Sequence, residues 1–264
     1  MKKILAIMLA VIMMFAVVSC SKKEDEVDTN NKETVVVDEE IYVAEDGDEF
    51  KYATNAAGDY EIIGYSTTNM TPHKVEIPGS ISDIDVTGIA DGAFKANNRI
   101  SEIVIPDTVE YIGEFAFDGC TNLTKVTMGN AVTKIGVGAF SDCIVLTDIT
   151  LSSELTKIDR FTFWGCVKLE KIVVHAKATE IGAMAFADCV ALKDVTIGAA
   201  VKTIGDLAFD ADEALAEITV PATVENFGRA IFGASNLTVK VVAAENSPAQ
   251  TYATANGYTF EKLA

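Results

Sequence analysis

Four cysteines, Cys120, Cys143, Cys166 and Cys189, stand 23 residues apart along the chain. Thiols at a fixed spacing could form disulfides, hold a metal or supply a nucleophile. If each interval is one structural unit, the four form a straight column. Neighbouring Cα atoms would then lie ~5 Å apart, but with parallel Cβ vectors, whereas a disulfide needs them to converge. A zinc site needs ligands aimed at one point, which a column does not supply. The same slot holds Asn97, Asp212 and Ser235 in other intervals, so it asks for a small group able to bond to a turn. This reads as a ladder of buried free thiols, with one or two strained disulfides as the alternative.

Other chemically capable residues are sparse. The two histidines are His73 and His175. His175 follows a strand-like run, in a slot that elsewhere carries Pro106, Gly129, Ser152, Gly198 or Pro221, and reads as a solvent-exposed edge. No Ser/His/Asp constellation, glycine-rich phosphate loop or HExxH helix can be assembled. Asp46-Gly47-Asp48 lacks the spacing of an EF-hand loop. The expectation is a non-enzymatic chain with no catalytic residue, metal or cofactor.

The elements that position these residues are repeats. An apolar skeleton starts at Ile89, Ile112, Ile135, Ile158, Ile181, Ile204 and Phe227, with a Phe five places later in each, from Phe94 to Phe232. Such regularity means a solenoid, each unit burying its apolar edge against its neighbours. Within a unit, a stretch such as Ile135-Gly136-Val137-Gly138-Ala139-Phe140 fits a short helical or 3₁₀ turn. The next, such as Leu123-Thr124-Lys125-Val126-Thr127-Met128, alternates as a half-buried strand does. The fold class is an α/β repeat solenoid with one parallel sheet and the turns opposite it. The seventh unit reads one residue short before Leu237–Val241. Tyr60–Tyr65 and Val75–Pro78 read as strands of an N-terminal β cap. Ser247-Pro248 has the logic of a helix start and Asn256-Gly257 of its end, with Tyr258-Thr259-Phe260 as a closing strand.

The pattern Ile-Gly-x-x-Ala-Phe-x-x-Cys-x-x-Leu-x-x-Val-x-Ile/Met resembles the BspA-like class of leucine-rich repeats on bacterial surfaces. It departs at Ala90 and Asp159 in place of Gly, and at Thr162 and Ile231 in place of Ala. The resemblance implies an extracellular, non-catalytic binding protein, often an adhesin for host or partner-cell proteins.

Residues 1–19 open with Met1-Lys2-Lys3 and continue with an apolar run too short to span a bilayer comfortably, as an export signal does. Val17-Val18-Ser19-Cys20 resembles a lipobox, which implies lipid attachment at Cys20 and anchoring in the cell envelope, at the outer membrane or cell surface. From residue 20 to 59 acids dominate, and this segment reads as a flexible tether. The cap then covers 60–88, seven repeats cover 89–243, and a C-terminal cap covers 244–264.

Net charge is −18, the wrong sign for nucleic-acid phosphates or for adsorption to anionic lipid. A binding role would fall to outward side chains. On the strand face, Glu102, Lys125, Asp148, Lys171, Asp194 and Glu217 form one column. Val104, Thr127, Thr150, Val173, Thr196 and Thr219 form its neighbour. Arg160, Phe161 and Trp164 offer a second candidate, since the lone Trp beside Phe and Arg has the composition of an interface hot spot. The expected partner is a cell-surface or extracellular protein, or a glycan, with the membrane engaged through Cys20. A periplasm-facing envelope scaffold is the rival reading, and an enzyme with an unrecognised site the third.

Overall fold

The structure, a computed structural model, describes residues 39–233 and 238–263. Each 23-residue period forms one coil of a parallel β-solenoid of about nine turns including its caps. Coils one to seven begin at the apolar starts named above. Their longer strands are Ile100–Ile105, Lys125–Met128, Asp148–Thr150, Lys171–Val174, Asp194–Ile197, Glu217–Thr219 and Lys240–Ala243. Partners are one period apart: Lys125 faces Asp148, Lys171 faces Asp194 and Glu217 faces Lys240. The last pairing shows that the seventh coil keeps the full period and is not short. Val126 and Met128 point inward while Lys125 and Thr127 face solvent, as strand alternation requires.

The opposite side differs from the expected helical turns. Coil starts form two further parallel ladders of two-residue strands, Tyr111–Ile112 with Lys134–Ile135, and Glu180–Ile181 with Thr203–Ile204 and Asn226–Phe227, with Ile158 adding a single bridge to Ile181. The stretch leading to each Phe is a run of turns. Its amides bond along the solenoid axis, Phe117 N to Ala139 O at 2.8 Å and Phe140 N to Thr162 O at 2.9 Å. A helix would have turned those amides onto its own backbone. Aiming them at the next coil puts Phe115, Phe161, Met184 and Leu207 at φ of 55 to 61°, a region that side chains usually avoid.

Each coil has its Phe fully buried, and the rings stack in one column. Centroids are 5.1 Å apart for Phe117–Phe140, 5.7 Å for Phe140–Phe163 and 5.5 Å for Phe163–Phe186. Beside this spine, the four cysteines are free and buried. Each thiol donates to a Phe carbonyl of the preceding coil, Cys143 Sγ to Phe117 O at 3.3 Å and Cys166 Sγ to Phe140 O at 3.2 Å. That bond explains why the slot selects small polar groups.

The N-terminal cap begins earlier than the composition suggested. Glu40–Val43, Asp48–Thr54 and Tyr60–Thr67 form an antiparallel meander, so residues 40–59 are not tether. Phe50 and Tyr52 alternate with acids and lysine and are buried, which the acidic average of the segment concealed. Tyr60–Thr67 then pairs parallel with Ile84–Ile89, handing the sheet over to the solenoid. Residues 1–38, with the leader and Cys20, lie outside the described residues, as do Ser235 and Leu237.

The other end closes as its sequence suggests. Ser247 caps the Pro248–Asn256 helix by accepting from Gln250 N, and Gly257 ends it at φ 78°. Thr259–Lys262 then pairs with Lys240–Ala243 and covers the last strand edge.

Candidate interaction surface

The strand face assembles both columns read from the sequence. Glu102, Lys125 and Asp148 sit side by side, as do Val104, Thr127 and Thr150. Lys171 and Val173 line up with Asp194 and Thr196. Nine of the twelve side chains are exposed; Glu102, Val104 and Val173 are half-buried. The alternating charges give one ion pair within the column, Lys125 Nζ to Asp148 Oδ2 at 3.2 Å. Glu217 pairs beyond it with Lys240 at 2.6 Å. Exposed pairs of this kind contribute about 0–1 kcal/mol each, so these charges mark register and surface pattern more than stability.

This face is not continuous. No backbone pairing joins Asp148–Thr150 to Lys171–Val174 among the described residues. A cleft of about 330 Å³ opens there, with Asp148, Thr150, Leu151, Lys171, Val173 and His175 among its walls. His175, expected at an exposed edge, is instead half-buried in this cleft. Lys171 forms no ion pair among the described residues, although Asp194 is its register partner in coil five. The sheet is interrupted again between Asp194–Ile197 and Glu217–Thr219.

The second candidate lies on the turn corner of coil four. Arg160 is exposed, whereas Phe161 and Trp164 are half-buried. Trp164 donates its indole N–H to Asp188 Oδ2 in the next coil at 2.8 Å. The indole is thus tied to the next coil while staying partly exposed. Around it, burial first, then the charges of Asp118 and Asp188, raise the Asp142 carboxyl above its ordinary range.

One polar cluster had no signature in the sequence. Asp48 is 1% exposed and meets His73 Nε2 at 2.9 and 3.1 Å through its two oxygens. Tyr65 Oη and Asn69 Nδ2 each lie 3.3 Å from the same nitrogen, and Nδ1 lies 3.3 Å from Thr71 O. Burial, then the bond to Asp48, push the Tyr65 phenol far up. The cluster ties the meander to the His73–Glu76 strand. Asp48 and His73 are 25 residues apart, and no local rule connects them. Among the described residues no group of His, Cys, Asp and Glu is arranged to hold a metal.

Comparison with known proteins agrees with this architecture. Residues 87–216 match the BspA type leucine rich repeat region in six copies. A leucine rich cell surface protein from Faecalibacterium prausnitzii is 29% identical and superposes with a TM-score of 0.68, covering 77% of this chain and 54% of its own. The chain thus spans about half the length of that protein. The Treponema pallidum leucine rich repeat protein is 26% identical with a TM-score of 0.66, covering 80% of this chain and 95% of its own. A leucine-rich repeat protein from Bacteroides ovatus, 23% identical with a TM-score of 0.61 and covering 81% of this chain and 66% of its own, shows the shared fold. No curated protein sequence matches.

Proposed function

We propose that this chain, whose residues 87–216 are a BspA-type leucine-rich-repeat region, is a lipid-anchored cell-surface protein that holds another macromolecule without chemistry. One observation carries the reading. The apolar side chains of each coil are spent on the Phe spine and its flanks. The outward strand positions, by contrast, are stacked in register into a broad surface of alternating charge and small polar or β-branched groups. A repeated surface of this kind is the binding face of solenoids. Its polarity suits a protein or glycan partner better than a bilayer. The likeness to a cell surface protein of F. prausnitzii supports the location, and the lipobox-like Val17-Val18-Ser19-Cys20 supports the anchor.

Three experiments test this. Cys20→Ser should release the protein from the membrane fraction, and protease added to intact cells should remove the wild type. Resistance to shaving would favour a scaffold facing the periplasm. Partner capture from the growth environment should weaken several-fold with Lys125→Glu on the strand face, and with Trp164→Ala if the turn corner contributes. Unchanged capture by both variants would reject both surfaces.

A further inference from the structure

The turn corner carries an apolar ridge that the fold does not call for. In the slot after the thiol column, coils one, two and six hold Asn98, Thr121 and Glu213, polar groups of the kind a turn ordinarily takes. Coils three, four and five hold Ile144, Val167 and Val190 instead. Ile144 is 40% exposed and Val190 38%, with Val167 half-buried between them. None of the three belongs to the core around the Phe spine. Stacking brings one slot of successive coils side by side, so the three form a single strip. An isolated exposed aliphatic needs no explanation, but a contiguous strip marks a contact site. Trp164 shares the corner, its indole bonded to Asp188 in the next coil at 2.8 Å. One margin of the strip is anionic. Asp142, Asp188 and Asp210 are half-buried, and among the described residues no lysine or arginine pairs with them, whereas nearby Asp118 is paired with Lys95 at 3.0 Å. Burial, then the charges of Asp118 and Asp188, raise the Asp142 carboxyl, so a cation brought here meets carboxylates that lack one. On the opposite margin Lys168 is exposed, and Lys193 is held by Glu170 at 2.7 Å.

We infer that this corner docks a basic amphipathic helix of a partner protein, laid along the solenoid axis with its aliphatic face on Ile144, Val167 and Val190 and its cationic flank on Asp142 and Asp188. The inference rests on the protein-binding reading above and adds the chemistry of the bound element. Spacing selects a helix. Ring to ring, coil four lies 5.7 Å from coil three and coil five 5.5 Å from coil four, which puts coil five about 11 Å from coil three. Helix residues i, i+4 and i+7 lie at ~6 and ~10.5 Å along the axis, matching both intervals. Alternate residues of a strand fall at ~6.7 and ~13 Å and overshoot coil five. Charge then selects the flank. Carboxylates without a cation on one margin call for Lys or Arg, and Lys168 on the other margin keeps those cations to one side. A second copy of this chain does not fit. Its described helix, Pro248–Asn256, has no basic residue, and a net charge of −18 sets two copies against each other.

The test is a nuclear magnetic resonance titration of the full chain, following the indole N–H of its single Trp and the amides of residues 141–145, 164–168 and 187–191. The probe is an acetylated, amidated helical peptide built on Ala, with Leu at positions i, i+4, i+7 and i+11 and Lys along one flank. Three further forms carry Glu in place of Lys, Ser in place of Leu, or a Pro at the centre. The Leu/Lys peptide should move those signals and bind at least tenfold tighter than the Ser or Pro form, with no binding of the Glu form. Ile144→Thr with Val190→Thr, which gives both coils the residue type of Thr121 in coil two, should weaken it at least tenfold. Asp142→Asn should weaken it several-fold. Should the double variant not fold, the comparison of the four peptides on the wild type still decides the matter. Because the whole chain is acidic, the Ser form measures attraction by charge alone, and equal affinity of the Leu and Ser forms would overturn the inference. So would tight binding of the Pro form, shifts confined to other residues, or an unaltered double variant. Self-association that the double variant abolishes would name a second copy as the occupant and overturn it as well. Loss of partner capture in Lys125→Glu but not in Ile144→Thr with Val190→Thr would sink the corner helix while leaving the strand-face reading intact.

Discussion

The rings of Phe117 and Phe140 lie 5.1 Å apart, centroid to centroid, with only 3° between their planes. Parallel rings one coil apart leave no room for a different rotamer or a different spacing. The spine therefore acts as the ruler of the solenoid. Removing one ring, as in Phe140→Ala, takes away its transfer free energy and opens a cavity that both neighbours line. The expected loss is about 3 to 5 kcal/mol. A denaturant titration would show it as a lower midpoint. Because coils touch only their neighbours, a broadened, two-step transition is also expected, with the break at coil three.

Close approach of coils at the second position gives a pair of opposite substitutions. A Cβ on Gly205 would sit 2.4 Å from Ala183 N, and backbone cannot swing aside as a flexible side chain can. Gly205→Ala should therefore cost about 1 to 3 kcal/mol through overpacking. Asp159→Gly should do the reverse locally by letting the residue 159 amide reach the Ile135 carbonyl. Hydrogen exchange at that amide should slow by about tenfold or more. Unchanged exchange would mean that something other than Asp159 holds the two coils apart.

Asp212 stands in the thiol column and gives the protein a pH dependence. Burial, with smaller contributions from the charges of Asp188 and Asp210, raises its pKa from 3.8 to about 9, and the Cys189 amide partly opposes this. Oδ1 accepts that amide at 3.0 Å. Between about pH 4 and pH 9 the folded chain keeps a proton that the unfolded chain releases. Stability from this group is thus fully present at the acid end of the window and falls as pH rises, by on the order of a few kcal/mol. Asp212→Asn should remove that slope. Unfolding curves at pH 5 and pH 8.5, compared between the two proteins, would check it.

The thiols should be chemically silent in the native state. Burial is the main cause that pushes Cys120 up to about 12 and raises Cys143, Cys166 and Cys189 well above the usual thiol range. Only the thiolate reacts, so labelling of these four by a thiol reagent at pH 8 should be slow and rise sharply once denaturant opens the coils. Fast labelling of the native protein would show that the column is more open than its packing implies.

Much of this was legible in the residues alone, because a repeat states its own geometry many times over. A period of 23 with Phe, Cys and Leu at constant offsets admits one stacking register. That register dictated the buried spine, the thiol column and the two outward strand columns. The helix signals around Ser247 and Gly257 were equally local, since a capping hydroxyl and a left-handed glycine act within one turn. Three features depended on contacts that the sequence does not display. The turns became inter-coil ladders rather than 3₁₀ helix because their amides had a partner in the next coil. Phe50 and Tyr52 made a cap out of an acidic stretch because a neighbouring strand was there to cover them. Asp159 was visible as a departure from glycine, yet its amide's lack of a bond to the Ile135 carbonyl shows only once coil three lies beside coil four. Local periodicity determines which residues face inward; the spacing between neighbouring coils is decided by close atomic approach, and that is a property of the assembled solenoid.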